Sequence, residues 1–122
     1  MPMNSDIVYI VDDDDSIRRA LKRLLKSAGY HARTFASAEA FFEFTPDKGR
    51  GVLVLDIQLP GMTGFDLEEK LTSKGTTYPI IFMTAHENRQ WQKRAEEIGA
   101  ISYLKKPFDE NVFLDAIGRC LQ

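Results

Sequence analysis

Val52-Leu53-Val54-Leu55-Asp56 is the stretch that decides how this chain folds. Four apolar residues run straight into a carboxylate. Gln58-Leu59-Pro60-Gly61-Met62-Thr63-Gly64 then breaks the run. A short, continuous Val/Leu segment bounded by turn residues is the pattern of a strand buried on both faces. Asp56 is therefore predicted at the carboxyl end of an inner strand. In an open parallel sheet, that end lies on the rim where ligands and chemistry collect.

Working outward, the same pattern recurs. Asp6-Ile7-Val8-Tyr9-Ile10-Val11 ends in four aspartates, Asp12 to Asp15. Ile80-Ile81-Phe82-Met83 ends in Thr84, and Ala100 to Leu104 ends in Lys105-Lys106-Pro107. His31 to Phe35 is a weaker strand, expected near an edge. Between these runs the apolar period changes to that of a helix. Ile17, Ala20, Leu21, Leu24, Leu25 and Ala28 form one stripe, with Ser16 or Asp15 as its cap and Gly29 as its end. Arg18, Arg19, Lys22, Arg23 and Lys26 lie off that stripe.

Ser37 can cap a short helix holding Ala38, Phe41 and Phe42, which stops before Pro46. Asp47 to Gly51 reads as a polar turn. Further helices are predicted from about Gly64 to Thr72 and from Asn88 to Ile98. Asp109 caps a last one, with a stripe of Val112, Phe113, Ala116, Ile117, Cys120 and Leu121, and Gln122 closes it. Strand and helix alternate five times with short connections. This predicts a parallel α/β sheet with helices on both faces, as one domain over residues 1–122.

Composition narrows the function classes. With 43% hydrophobic and 28% charged residues, the chain is an ordinary globular one. A net charge of -2 gives no overall pull toward nucleic acid, so direct nucleic-acid contact is not expected. The single cysteine, Cys120, excludes an internal disulfide or a multi-cysteine metal site. Its place in an apolar stripe predicts core packing. Ile7–Val11 is too short for a membrane span or signal peptide. The expected location is the cytoplasm, with no membrane association.

The chemistry lies just past the end of each inner strand. Asp12, Asp13, Asp56, Thr84 and Lys106 are far apart in sequence, yet in a parallel sheet they share one rim. Three clustered carboxylates raise one another's pKa unless a cation joins them. An all-oxygen set suits Mg²⁺, which uses few carboxylates and completes its shell with water and phosphate oxygens. Asp56 would then stay ionised and attack phosphorus in line, while the metal and Lys106 neutralise the transferring group. Thr84 can donate to a phosphoryl oxygen, and small Ala85 leaves room beside it. Asp14 and Asp15 read as solvated caps, and Lys105 as a solvated neighbour. His31 and His86 are too isolated to be metal ligands.

These motifs resemble the receiver domain of two-component response regulators. The resemblance rests on Asp12-Asp13, on Asp56 with Pro60-Gly61-Met62-Thr63-Gly64 behind it, on Thr84-Ala85, and on Lys106-Pro107-Phe108. It covers Ile7 to Leu121 and implies a (βα)5 flavodoxin-like, doubly wound five-stranded sheet of order 2-1-3-4-5. It further implies Asp56 as phosphoacceptor and Asp13 as a direct Mg²⁺ ligand. Asp12 would bind the ion mainly through water, and the Gln58 backbone carbonyl would complete the set. Thr84 and Tyr103 would form a switch pair, Lys106 would contact the phosphoryl group, and the Lys106–Pro107 peptide would be cis. By itself, Tyr103 reads equally as a plain half-buried tyrosine of its strand.

The Ser37-Ala38-Glu39-Ala40-Phe41 segment is similar to that of FixJ-like, nitrogen-fixation regulators. Those regulators usually carry a C-terminal helix-turn-helix output domain and control transcription. The implied partners are a histidine kinase, an output domain beyond residue 122, and a second copy bound through the fourth helix, fifth strand and fifth helix. Gln58 and His86 occupy the positions that tune autodephosphorylation in the family. On this reading the domain is not an enzyme beyond its own phosphorylation and dephosphorylation. Two rivals stand beside it. One is a haloacid-dehalogenase-like phosphatase with Asp12 as nucleophile, since an acidic run follows the first strand. The other is a receiver-like interaction module that is not phosphorylated.

Overall fold

Each apolar run forms a strand, and each stripe of helical period forms a helix. The computed structural model describes residues 7–44 and 51–121. In chain order it contains β1 (Ile7–Val11), α1 (Asp15–Ser27), β2 (His31–Phe35), α2 (Ala38–Phe44) and β3 (Val52–Asp56). These are followed by α3 (Gly64–Ser73), β4 (Ile80–Thr84), α4 (Arg89–Ile98), β5 (Ser102–Lys105) and α5 (Glu110–Cys120). The expectations placed on Asp6, Pro46, Asp47 and Gln122 lie outside the described residues. All strand pairs are parallel, in the order β2-β1-β3-β4-β5. The flavodoxin-like doubly wound fold expected from the sequence is therefore present.

Period-two alternation splits the core across the sheet. Tyr9, Val11, Leu53, Leu55 and Phe82 pack on one side with residues of α2, α3 and α4. Val8, Ile10, Val52, Val54, Ile81 and Met83 pack on the other with α1 and α5. Every residue of β3 and β4 is buried. Full burial of each such aliphatic side chain contributes about 1.5–3 kcal/mol, which makes these two strands a rigid base for the rim. Tyr78 joins Tyr9 and Phe41 in an aromatic cluster, with ring centroids 6.0 and 5.9 Å away. Its hydroxyl is buried without a hydrogen-bond partner among the described residues.

Four local expectations are corrected. The α1 cap is Asp14, one of the two aspartates read as solvated caps, rather than Ser16 or Asp15, and its carboxylate accepts from the Ser16 and Ile17 amides. β5 starts at Ser102 rather than Ala100, because the Ala100 N–H still closes α4 on the Ala95 carbonyl. Val112 is 49% exposed, since α5 buries Phe113, Ala116 and Ile117 and turns its neighbour outward. Ala20 and Ala28 of the α1 stripe are likewise exposed, because Leu21 and Leu25 supply that helix's buried contacts.

Candidate functional site

Asp12 leaves β1 fully buried and is held at four points. Its N–H donates to the Phe35 carbonyl at 3.1 Å, and its own carbonyl accepts from the Arg18 guanidinium at 2.8 Å. Oδ1 accepts the Asp14 N–H at 2.9 Å, and Oδ2 lies 2.7 Å from Lys106 Nζ. Asp56 ends β3 and is 5% exposed. Its Oδ1 accepts the Gln58 N–H at 3.1 Å, and its Oδ2 lies 3.2 Å from Lys106 Nζ. Asp13 is exposed beside them. One oxygen from each of Asp12, Asp13 and Asp56 falls within 4.8 Å of the others.

Neighbouring backbone fixes this arrangement. A Cβ at Gly64 would stand 2.5 Å from the Asp56 carbonyl oxygen and 2.9 Å from Ile57 Cα, so α3 starts against the backbone of the site. The Lys106 N–H donates to the Thr84 carbonyl at 2.8 Å, tying the β5 exit to the β4 exit. The Lys106–Pro107 peptide is cis. Thr84 is buried, and its Oγ1 accepts the His86 N–H at 3.1 Å. Tyr103 is half-buried, with its hydroxyl 3.5 Å from the carbonyl of Asn88, the α4 cap. By strand alternation Asp56 belongs to the α1/α5 side with Val52 and Val54, and Thr84 to the opposite side with Ile80 and Phe82.

Burial pushes the Asp56 pKa up, and the Asp12 charge adds to this. Lys106 and the Gln58 amide pull it down without restoring the ordinary value. Burial pulls Lys106 down, but its contacts with Asp12 and Asp56 outweigh that and leave its pKa raised. The cluster thus holds a charged lysine between carboxylates that one cation does not balance. The hard, all-oxygen donor set fits a divalent ion such as Mg²⁺.

Sequence reasoning missed two contributors. Arg18, placed off the apolar stripe of α1 and given no role, bonds the Asp12 carbonyl and Asp15. Glu39 of α2 accepts the Met62 N–H across 23 residues of sequence. Neither carried a local signal, because each acts through a contact that exists only in the folded chain.

A five-stranded parallel sheet of order 2-1-3-4-5 that gathers two buried carboxylates, an exposed third, a threonine and a lysine on one rim has receiver architecture. Residues 8–118 match the response regulator receiver domain, and the chain belongs to that family. It is 38% identical over 116 residues to the response regulator protein TmoT of Ectopseudomonas mendocina, covering 95% of this chain and 53% of that protein. It is 36% identical over 117 residues to the transcriptional regulatory protein FixJ of Rhizobium meliloti, covering 96% of this chain and 57% of that one. The chain thus spans about half the length of these curated relatives.

Among solved structures it resembles the response regulator StyR, with a TM-score of 0.90 and 45% identity over 96% of this chain and 59% of that one. It also resembles the FixJ N-terminal domain, with a TM-score of 0.87 and 36% identity over 97% and 94%. Receiver domains serve two-component signal transduction with histidine kinases and output domains, are phosphorylated on an aspartate, and generally bind Mg²⁺ in an acidic pocket. No helix among the described residues is long and apolar enough to cross a membrane.

Proposed function

We propose that Asp56 is the phosphoacceptor, taking its phosphoryl group from a histidine kinase in a Mg²⁺-dependent step. The observation that carries this reading is the gathering of three carboxylate oxygens within 4.8 Å around a lysine that touches Asp12 and Asp56. An Asp56 oxygen attacks phosphorus as the bond to the donor's imidazole nitrogen breaks, giving an acyl phosphate and a neutral histidine. Asp12, Asp13, Asp56 and the Gln58 carbonyl would hold the ion, which supplies positive charge to the phosphoryl oxygens. Lys106 supplies a second positive charge. Asp12 is the weaker candidate nucleophile. It is fully buried, and its contacts of 2.7 and 2.9 Å are tighter than the 3.1 and 3.2 Å contacts of Asp56.

Thr84 would turn from the His86 amide toward the phosphoryl group, and Tyr103 would follow behind it. The surface reporting this is α4, β5 and α5, with Val112 exposed on α5 and Ile101 exposed in the link from α4 to β5. That surface would bind a second copy or release an output domain, with control of transcription as the result in the cytoplasm. Gln58 and His86 are both exposed near the rim and would set the rate of dephosphorylation.

Acetyl phosphate with Mg²⁺ is expected to add one phosphoryl group, read by intact mass, and Asp56→Asn to abolish the addition. Label mapped to Asp12, or steady turnover of phosphomonoesters, would overturn the assignment. A helix-turn-helix segment following Gln122 in the full-length reading frame would establish the output class.

A further inference from the structure

The loop from Gln58 to Thr63 joins the Asp56 strand to α3; the Gly64 N–H closes its base on the Ile57 carbonyl at 3.0 Å, but the turn at its tip has no backbone bond of its own. Pro60, whose ring holds φ at about −65°, and Gly61, at φ 75°, have the φ values that the central positions of a type II turn require. In a closed turn of that kind the Met62 N–H would return to the Leu59 carbonyl. Here it donates instead to Glu39 Oε2 at 2.8 Å. Glu39 lies in the first turn of α2, which Ser37 starts by accepting the Ala40 N–H at 3.0 Å. The fit leaves no spare room, since a Cβ at Gly61 would stand 2.5 Å from the same Glu39 oxygen. The Met62 amide, followed by Glu39's own backbone N–H, holds the Glu39 carboxyl below its ordinary pKa, so the acceptor stays charged at neutral pH. At its other end the loop reaches the site directly, because the Gln58 N–H bonds Asp56 Oδ1 at 3.1 Å.

We propose that Glu39 is a positioning residue for the phosphorylation site, acting from α2 to fix the loop that presents Gln58 to Asp56 and to the ion. This rests on Asp56 being the phosphoacceptor and Mg²⁺ its ion. Glu39 touches neither the reacting atoms nor the ion. Its effect is to hold the tip of a loop whose base is already closed by the Gly64 N–H on the Ile57 carbonyl but whose turn has no closing bond of its own, and a one-ångström error in a catalytic group is costly.

The test compares parent, Glu39→Ala and Glu39→Gln. Mg²⁺ titrations are followed by the fluorescence of Trp91, which lines the same groove as Gln58 and Pro60. Asp56 phosphorylation by acetyl phosphate and thermal midpoints are measured in parallel. Glu39→Ala is expected to weaken Mg²⁺ binding and slow phosphorylation about three- to tenfold, the size of one lost hydrogen bond of typical net strength. Glu39→Gln, which keeps an acceptor oxygen, is expected to recover most of both, although its thermal midpoint differs little from that of Glu39→Ala. Parental Mg²⁺ affinity and rate in Glu39→Ala, or no recovery in Glu39→Gln, would overturn the assignment of Glu39. Failure of the parent itself to bind Mg²⁺ would instead overturn the reading of the site.

Discussion

Replacing Lys106 by methionine keeps the unbranched side chain up to its last atom and removes its charge. Lys106 Nζ stands 2.7 Å from Asp12 and 3.2 Å from Asp56, and all three side chains are 14% exposed or less. Removing one partner of a buried ion pair costs about 3–5 kcal/mol, because the other charge remains buried and uncompensated. The lower end applies here, since the pair is not fully enclosed: Lys106 is 14% exposed. About 3 kcal/mol at pH 8 corresponds to a fall of about 12 °C in the thermal midpoint for a domain of this size.

The pH dependence follows from the directions of the shifts. A carboxylate whose pKa is raised on folding destabilises the fold above that pKa, and the penalty is relieved as pH falls through it toward the ordinary value. The deficit of Lys106→Met should therefore shrink as pH falls toward the ordinary carboxylate range. The lysine's own pKa is raised, so its contribution in the parent is complete below 10.5 and is lost only as pH rises through the folded value. Mg²⁺ supplies the missing positive charge and should stabilise the variant more than the parent. The assay is chemical or thermal unfolding at several pH values, with and without Mg²⁺. A variant within about 0.5 kcal/mol of the parent at pH 8 without metal would show that the lysine does not compensate the carboxylates.

Two further outcomes are expected. Tyr78→Phe should stabilise the domain by about 1 kcal/mol in urea unfolding, because it deletes a buried hydroxyl that has no partner among the described residues; a loss of stability would mean that the hydroxyl is bonded. Gly64→Ala should cost about 1–3 kcal/mol, because the added carbon meets backbone rather than a movable side chain. The same variant should slow acetyl phosphate labelling of Asp56, and an unchanged rate would separate the start of α3 from the site.

Much of this molecule is legible in its sequence because burial on both sides leaves an unbroken apolar run. The five-residue runs of β3 and β4 need no alternation to be found, and each delivers its terminal polar residue to the rim. Helix ends are legible where a side chain bonds its own backbone, as Asn88 and Asp109 do. They blur where neighbours compete. Four consecutive aspartates offer several caps for α1, and the choice of Asp14 comes from where Asp12 is anchored. The start of β5 is hidden because helix closure claims Ala100 first. Arg18 and Glu39 are not legible at all. An arginine on a basic face and a glutamate in a first turn look solvated until another element brings Asp12 or Met62 beside them.

The division of the interior into two separately packed halves bears on how such a domain can change over evolutionary time. Among the described residues, the buried side chains that pack with α2, α3 and α4 form a cluster separate from those that pack with α1 and α5, for the strands stand between them. Replacements in one half should sum with replacements in the other to within about 0.5 kcal/mol. A lineage can therefore remodel one flank for a new associate while the Asp12–Asp56–Lys106 flank is inherited intact.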